Sequence, residues 1–183
     1  MAPDRTPGIR PRPTLWRRLD AASRQAFPVS STVLLLLVLA GPLGLPMQAE
    51  WQQAAALAGV FFWSVFRPAA MAPPMVFLLG LLLDLLALAP PGLGVLTLLL
   101  AHGVAVRWRR ELARQGFLVV WLAFVALAAA VAAGSWGVAS ALTFRVLPGA
   151  PMVFQFVLAA GLYPALAFVF TAAHRSAAAP EQA

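Results

Sequence analysis

Runs of apolar residues, separated by short polar or proline-bearing breaks, make up most of this chain. Six runs can be drawn: Val29 to about Leu45, Trp51 to Phe66, Met75 to Ala89, Leu93 to Val106, Phe117 to roughly Gly134, and Met152 to Ala173. They predict an all-α fold, a polytopic membrane bundle of about six helices. The first run is broken near its end by Gly41-Pro42 and Pro46, and the sixth contains Gly161 and Pro164. A span takes about 17–25 residues. Runs two to four fall short of that, which leaves them tilted poorly, lengthened by snorkelling arginines, or buried among the others. Before the first run, Leu15, Leu19, Ala22 and Ala26 recur at spacings of three and four, with Arg17, Arg18 and Arg24 elsewhere. Residues 14–26 therefore fit either a short interfacial helix on the anionic leaflet or a plain basic tail.

Composition agrees with a lipid environment. Of 183 residues, 62% are hydrophobic and 10% charged, against about 25% charged in soluble domains. A chain this short has too little interior to hide that much apolar surface. Pro/Arg-rich residues 1–13 are expected to be disordered. The organisation expected is a basic cytoplasmic tail (1–27), a transmembrane domain (28–175) and a short cytoplasmic tail (176–183). The first run is a poor cleaved signal, because its preceding tail is long and Gly41-Pro42-Leu43-Gly44 is a poor cleavage site.

The net charge is +7, and all 13 basic residues are arginine. The arginines abut apolar runs, which favours membrane topology over nucleic-acid binding. With six spans, twelve arginines share one side and Arg145 stands alone on the other. Both termini are then cytoplasmic, and Arg17, Arg18, Arg24, Arg107, Arg109 and Arg110 meet the membrane surface. The expected location is a membrane crossed several times, with the arginine-rich side cytoplasmic. The Ala89-Pro90-Pro91-Gly92 turn joins runs three and four, in a full hairpin by preference; a re-entrant one gives the same charge pattern.

Asp84 is the acidic residue inside an apolar run. A carboxylate at that depth costs about 2.5–3.5 kcal/mol on insertion scales, so it needs a partner or a job. Gly80 lies four residues back on the same helix face. With the turn centred near Pro91, Thr97 is the expected partner of Asp84, and His102 lies within reach a turn further on. Asp84 is either a relay or intersubunit group, or a buried aspartate tying helices together. His102 is expected to be a packing histidine.

Catalytic readings find little support. No cysteine is present and there are two histidines, so no metal or cofactor site is expected. A single intramembrane aspartate is too few for a metal-dependent phosphotransferase. Ser135, in Gly134-Ser135-Trp136-Gly137, falls in an expected loop, which counts against a serine protease with His102. Val138 to Phe144 fits a short interfacial helix. Trp51, Trp63, Trp108, Trp121 and Trp136 sit near run ends, as interfacial anchors do.

The order Phe62-Trp63-Ser64-Val65-Phe66-Arg67-Pro68, Pro73-Pro74, Phe77-Leu78-Leu79-Gly80-Leu81-Leu82-Leu83-Asp84, Pro91-Gly92-Leu93-Gly94 and Arg107-Trp108-Arg109-Arg110 resembles the MreD family of rod shape-determining membrane proteins. The resemblance covers residues 55–125; beyond them only length and hydropathy agree. Pro90 departs from the family's turn. The resemblance implies a fold similar to the substrate-binding subunits of energy-coupling-factor transporters. It also implies a non-enzymatic scaffold of side-wall peptidoglycan synthesis. Its partner would be MreC, with MreB, RodA and RodA's transpeptidase reached indirectly, and a homodimer is left open. Gly80, Asp84, Gly92, Gly94, Thr97 and His102 are the expected packing or partner-binding residues. The rival is a small-solute or lipid-binding transport subunit, which needs convergent polar groups; Asp84, Thr97, His102, Gln155 and Tyr163 are the few on offer.

Overall fold

The computed structural model describes residues 15–42, 44, 46–87 and 91–178, with side chains from 26 to 172. The tail before residue 15, the side chains of Arg17, Arg18, Arg24 and Arg175, Pro90 and residues 179–183 lie outside the described residues. The described residues form six helices and no strand: α1 (Leu15–Ala40), α2 (Gln48–Phe66), α3 (Pro73–Ala87), α4 (Leu93–Leu112), α5 (Phe117–Thr143) and α6 (Ala150–Ala178).

Three boundaries differ from the sequence expectation, each for a local reason. The separate surface helix at 14–26 and the first apolar run are one helix, α1, with Pro28 inside it. Beyond the proline, Ser30 Oγ donates to Phe27 O at 3.1 Å, and Ser31 Oγ and Thr32 Oγ1 both donate to Pro28 O at 2.9 Å. Backbone carbonyls thus satisfy three hydroxyls that an apolar setting would penalise. Arg107, Arg109 and Arg110 are not in a loop: α4 continues to Leu112 and carries Arg109 and Arg110 in its last turn. Arginine is a good helix former, and cations favour a helix C-terminus. The helix α5 does not stop near Gly134 but runs through Ser135 and Gly137 to Thr143. This replaces both the expected loop and the separate helix at Val138–Phe144. Ser135 is buried, and its hydroxyl donates to Ala132 O at 3.0 Å. At the end of α5, Phe144 takes a left-handed φ of 51° and its N–H bonds back to Ala141 O and Ser140 O.

The central element is α2, which packs against all the other helices. Its run from Ala54 to Val65 is buried throughout. The small half (Ala54, Ala55, Ala56, Ala58, Gly59) lets neighbours approach closely. A Cβ at Gly59 would lie 3.1 Å from both Cγ2 and Oγ1 of Thr32 on α1. The aromatic half builds the core. Phe61 meets Phe124 and Tyr163, which stack on each other with centroids 4.3 Å apart. Trp63 sits among Phe27, Phe62 and Phe170. With 1% of its surface exposed, Trp63 is a core residue rather than an interfacial anchor; Trp108, 58% exposed beside the α4 arginines, has the placement expected of one.

The outward faces are apolar too. Leu34, Leu37, Phe77, Leu81, Leu85, Leu96, Leu100, Leu118, Leu122, Val157 and Phe168 are exposed. Contiguous apolar surface on this scale is foreign to water-soluble monomers. Phe117–Thr143 and Ala150–Ala172 are long and apolar enough to cross a membrane, and Ala26–Ala40 and Pro73–Ala87 are shorter apolar stretches.

Candidate functional site

Asp84 lies near the end of α3, 5% exposed. The chain then turns and opens α4 from Gly92, whose φ of 94° is cheap only for glycine. The first N–H groups of any helix lack intrahelical partners. In α4 two of these are met from outside the helix: Gly92 N–H donates to Asp84 Oδ2, and Gly94 N–H to Oδ1, each at 2.7 Å. Each carboxylate oxygen thus takes one backbone amide. The negative group sits at the positive end of the α4 dipole, and the bonds are charge-assisted.

Glycine makes this geometry possible on both sides. A Cβ at Gly80 would lie 2.5 Å from Val95 Cα and 2.9 Å from Val95 N, so the backbones of α3 and α4 touch there. A Cβ at Gly94 would collide with Asp84 Oδ1 and stand 3.2 Å from Gly80 O. Gly80, Asp84, Gly92 and Gly94 therefore form one joint that locks the α3–α4 hairpin.

The other two expected members stand apart. Thr97 is not the partner of Asp84; its hydroxyl donates back to Gly94 O at 3.0 Å, because the helix start supplies Asp84 with better donors. His102 turns away from Asp84 altogether. Its Nδ1 shares a buried hydrogen bond with Ser64 Oγ on α2 at 2.8 Å. The sequence signal for Ser64 was its position as the hydroxyl inside an aromatic run.

Two further joints repeat the logic of Asp84 and escaped the sequence reading. At the end of α1, Gln48 Nε2 donates to Leu39 O at 2.5 Å and Gly41 O at 2.8 Å, and Gln52 Nε2 to Leu39 O at 3.3 Å. In α6, Pro164 has no N–H, so the carbonyl four residues back loses its helical donor. That carbonyl is Ala160 O, and Trp121 Nε1 on α5 donates to it at 3.0 Å. At each joint a side chain from another helix meets a backbone group that lacks a partner within its own helix.

Two cavities flank α6. A groove of about 1220 Å³ is lined by α1, the turn before α3 and α6, including Phe27, Leu34, Ala70, Met75 and Phe170. Its hydroxyls, Ser30 and Ser31, are bonded to their own backbone. A crevice of about 510 Å³ lies between the ends of α2 and α6 and the start of α5, lined by Phe62, Phe66, Phe117, Tyr163 and Ala167 among others. Tyr163 is buried against Phe124, and Gln155 is buried elsewhere on α6. Arg107, Arg110 and Arg114 are exposed around the end of α4, with Arg109 half-buried. Among the described residues no group of three or more His, Asp or Glu is placed to hold a metal ion. Comparison of the chain with protein-family models, curated proteins and solved structures finds no match.

Proposed function

We propose that this chain is a six-span inner-membrane scaffold with both termini cytoplasmic, which serves the machinery of side-wall peptidoglycan synthesis by holding a bitopic partner of the MreC kind. The observation that carries this reading is the α3–α4 joint. Four of the residues that carry the resemblance to the MreD family, Gly80, Asp84, Gly92 and Gly94, are the ones that lock this hairpin. A locked hairpin offers a partner helix a fixed apolar face, along Phe77, Leu81 and Leu85 on α3 and Leu96 and Leu100 on α4, all exposed. Fixed surfaces lose little entropy on binding.

The topology is supported by charge. Arg67 follows the end of α2, and Arg107, Arg109, Arg110 and Arg114 surround the end of α4, whereas Arg145 follows the end of α5. The scaffold reading is favoured over polar-solute transport because three of the five polar groups that a binding site could draw on are engaged within the bundle. Asp84 caps α4, His102 bonds Ser64, and Thr97 bonds its own helix. The test is co-purification with MreC, alongside cell shape, for the pair Asp84→Leu and Gly80→Leu. Loosening the hairpin is expected to weaken capture of MreC and round the cells while the protein stays inserted. Undiminished capture and normal rods with a demonstrably destabilised hairpin would sink the proposal.

A further inference from the structure

The crevice beside α6 opens between α2, α5 and α6. Its interior is apolar, and three of its phenylalanines stand at the rim: Phe66 is 47%, Phe117 56% and Phe168 76% exposed. Two of the segments that line it run on into arginines. Arg67 directly follows Phe66 at the end of α2, and Arg114 directly precedes the lining residue Gln115 in the α4–α5 turn. Arg110, also exposed, lies four residues before Arg114, at the C-terminal end of α4; Glu111 is the acidic side chain in this stretch. Of the two hydroxyls in the lining, Thr171 and Tyr163, that of Thr171 donates to Ala167 O at 2.6 Å.

An apolar slot with an aromatic rim, and with arginines next in the chain to its lining, matches a molecule with a hydrocarbon chain and an anionic head. We propose that the crevice between α2, α5 and α6 holds one acyl chain of an anionic phospholipid, with its phosphate at Arg110 and Arg114. A free phosphate would leave the slot unused, and a zwitterionic lipid would gain little from the arginines. This inference needs the lipid environment but not the scaffold role, so either can fail without the other.

The test uses the full chain in detergent, with native mass spectrometry against added phosphatidylglycerol and phosphatidylcholine. One phosphatidylglycerol is expected to be retained over phosphatidylcholine by roughly tenfold or more, the size expected of two surface arginines acting on an anionic headgroup. The exposed pair Arg110→Gln and Arg114→Gln should remove most of that preference, whereas Arg145→Gln, in the α5–α6 connection, should leave it intact. Ala167→Phe, which fills the slot, should reduce retention of both lipids. Glycerol phosphate, which has the charge without the chain, should not displace the bound lipid. Equal retention of the two lipids, an unchanged preference in the double arginine variant, or displacement by glycerol phosphate would each overturn the proposal. Should Ala167→Phe fail to fold, the arginine variants and the competition decide alone.

Discussion

Removing the Asp84 carboxylate should push insertion and folding stability in opposite directions. The carboxylate accepts two amide bonds of 2.7 Å at the start of α4. Hydrogen bonds to charged groups contribute about 1.5–3 kcal/mol each. The Gly94 bond is buried, and the Gly92 bond is only partly so. Asp84→Ala thus forfeits the first in full and the second in part, for a loss of roughly 2–4 kcal/mol. Asp84→Asn keeps one acceptor but turns its amide toward the other N–H, so it should cost about half as much, roughly 1–2 kcal/mol. Insertion runs the other way, because an aspartate in a span is penalised, by about 2.5–3.5 kcal/mol at its centre and by less near an end, where Asp84 lies. That gain does not offset the folding loss, since an unfolded but inserted chain keeps α3 in lipid and benefits equally.

The assay is unfolding in mixed micelles by increasing denaturing detergent, read by circular dichroism, alongside a glycosylation-reporter measurement of α3 insertion. The expected order of stability is wild type, then Asn, then Ala and Leu, while insertion efficiency rises from Asp to Leu. A stability change below about 0.5 kcal/mol for Asp84→Ala, the scale of an ordinary surface substitution, would refute the capping role. So would a variant that lost insertion and stability together.

Other expectations follow from the same contacts. Gly80→Ala places a Cβ against the Val95 backbone and should cost roughly 1–3 kcal/mol as overpacking. The control Gly103→Ala meets nothing within 4 Å and should be neutral or stabilising by up to about 1 kcal/mol; both are read from the same unfolding midpoints. Trp121→Phe leaves Ala160 O without its donor, at about 1–3 kcal/mol. Adding Pro164→Ala should recover part of that, because residue 164 then supplies an N–H, and a double-mutant cycle measures the coupling. The chain has no cysteine, so single substitutions report topology cleanly. An impermeant maleimide applied to intact cells should label Arg145→Cys but not Ala113→Cys, and the reverse pattern would invert the orientation.

The helices themselves were legible in the apolar runs, and the reason is physical. Each run had to be long and continuous to bury its own backbone, so periodicity and breaks such as Arg67-Pro68 and Gly92 marked the elements well. Ends were less legible. The helix α5 passes through Gly134 and Gly137 because surrounding alanines and the packing of Ser135 outweigh glycine's local cost, and propensity is a weak prior against tertiary context. The continuity of α1 across Pro28 was hidden for the same reason. Trp63 was misplaced because an indole at the edge of an apolar run reads as an anchor, whereas its neighbours Phe27 and Phe170 come from helices far along the chain.

Asp84 shows where local reasoning stops. Its oddity was plain from the sequence, and so was Gly80 on its face. Its partner was misjudged, because facing side chains were compared level by level along the hairpin. The donors that matter are backbone amides, which carry no sequence identity. They become donors only because α4 begins there, at a glycine with positive φ. The same blindness applies to Gln48 at the end of α1 and Trp121 at the proline of α6, where the acceptors are carbonyls without a helical partner. In an apolar setting helix ends and breaks are the expensive places, so polar side chains inside apolar runs are best matched first to such ends. Pairing them with one another comes second. On that rule Asp84 is assigned to the α4 N-terminus and Trp121 to Pro164, while His102, in the middle of α4, is left to a side-chain partner, Ser64 of α2.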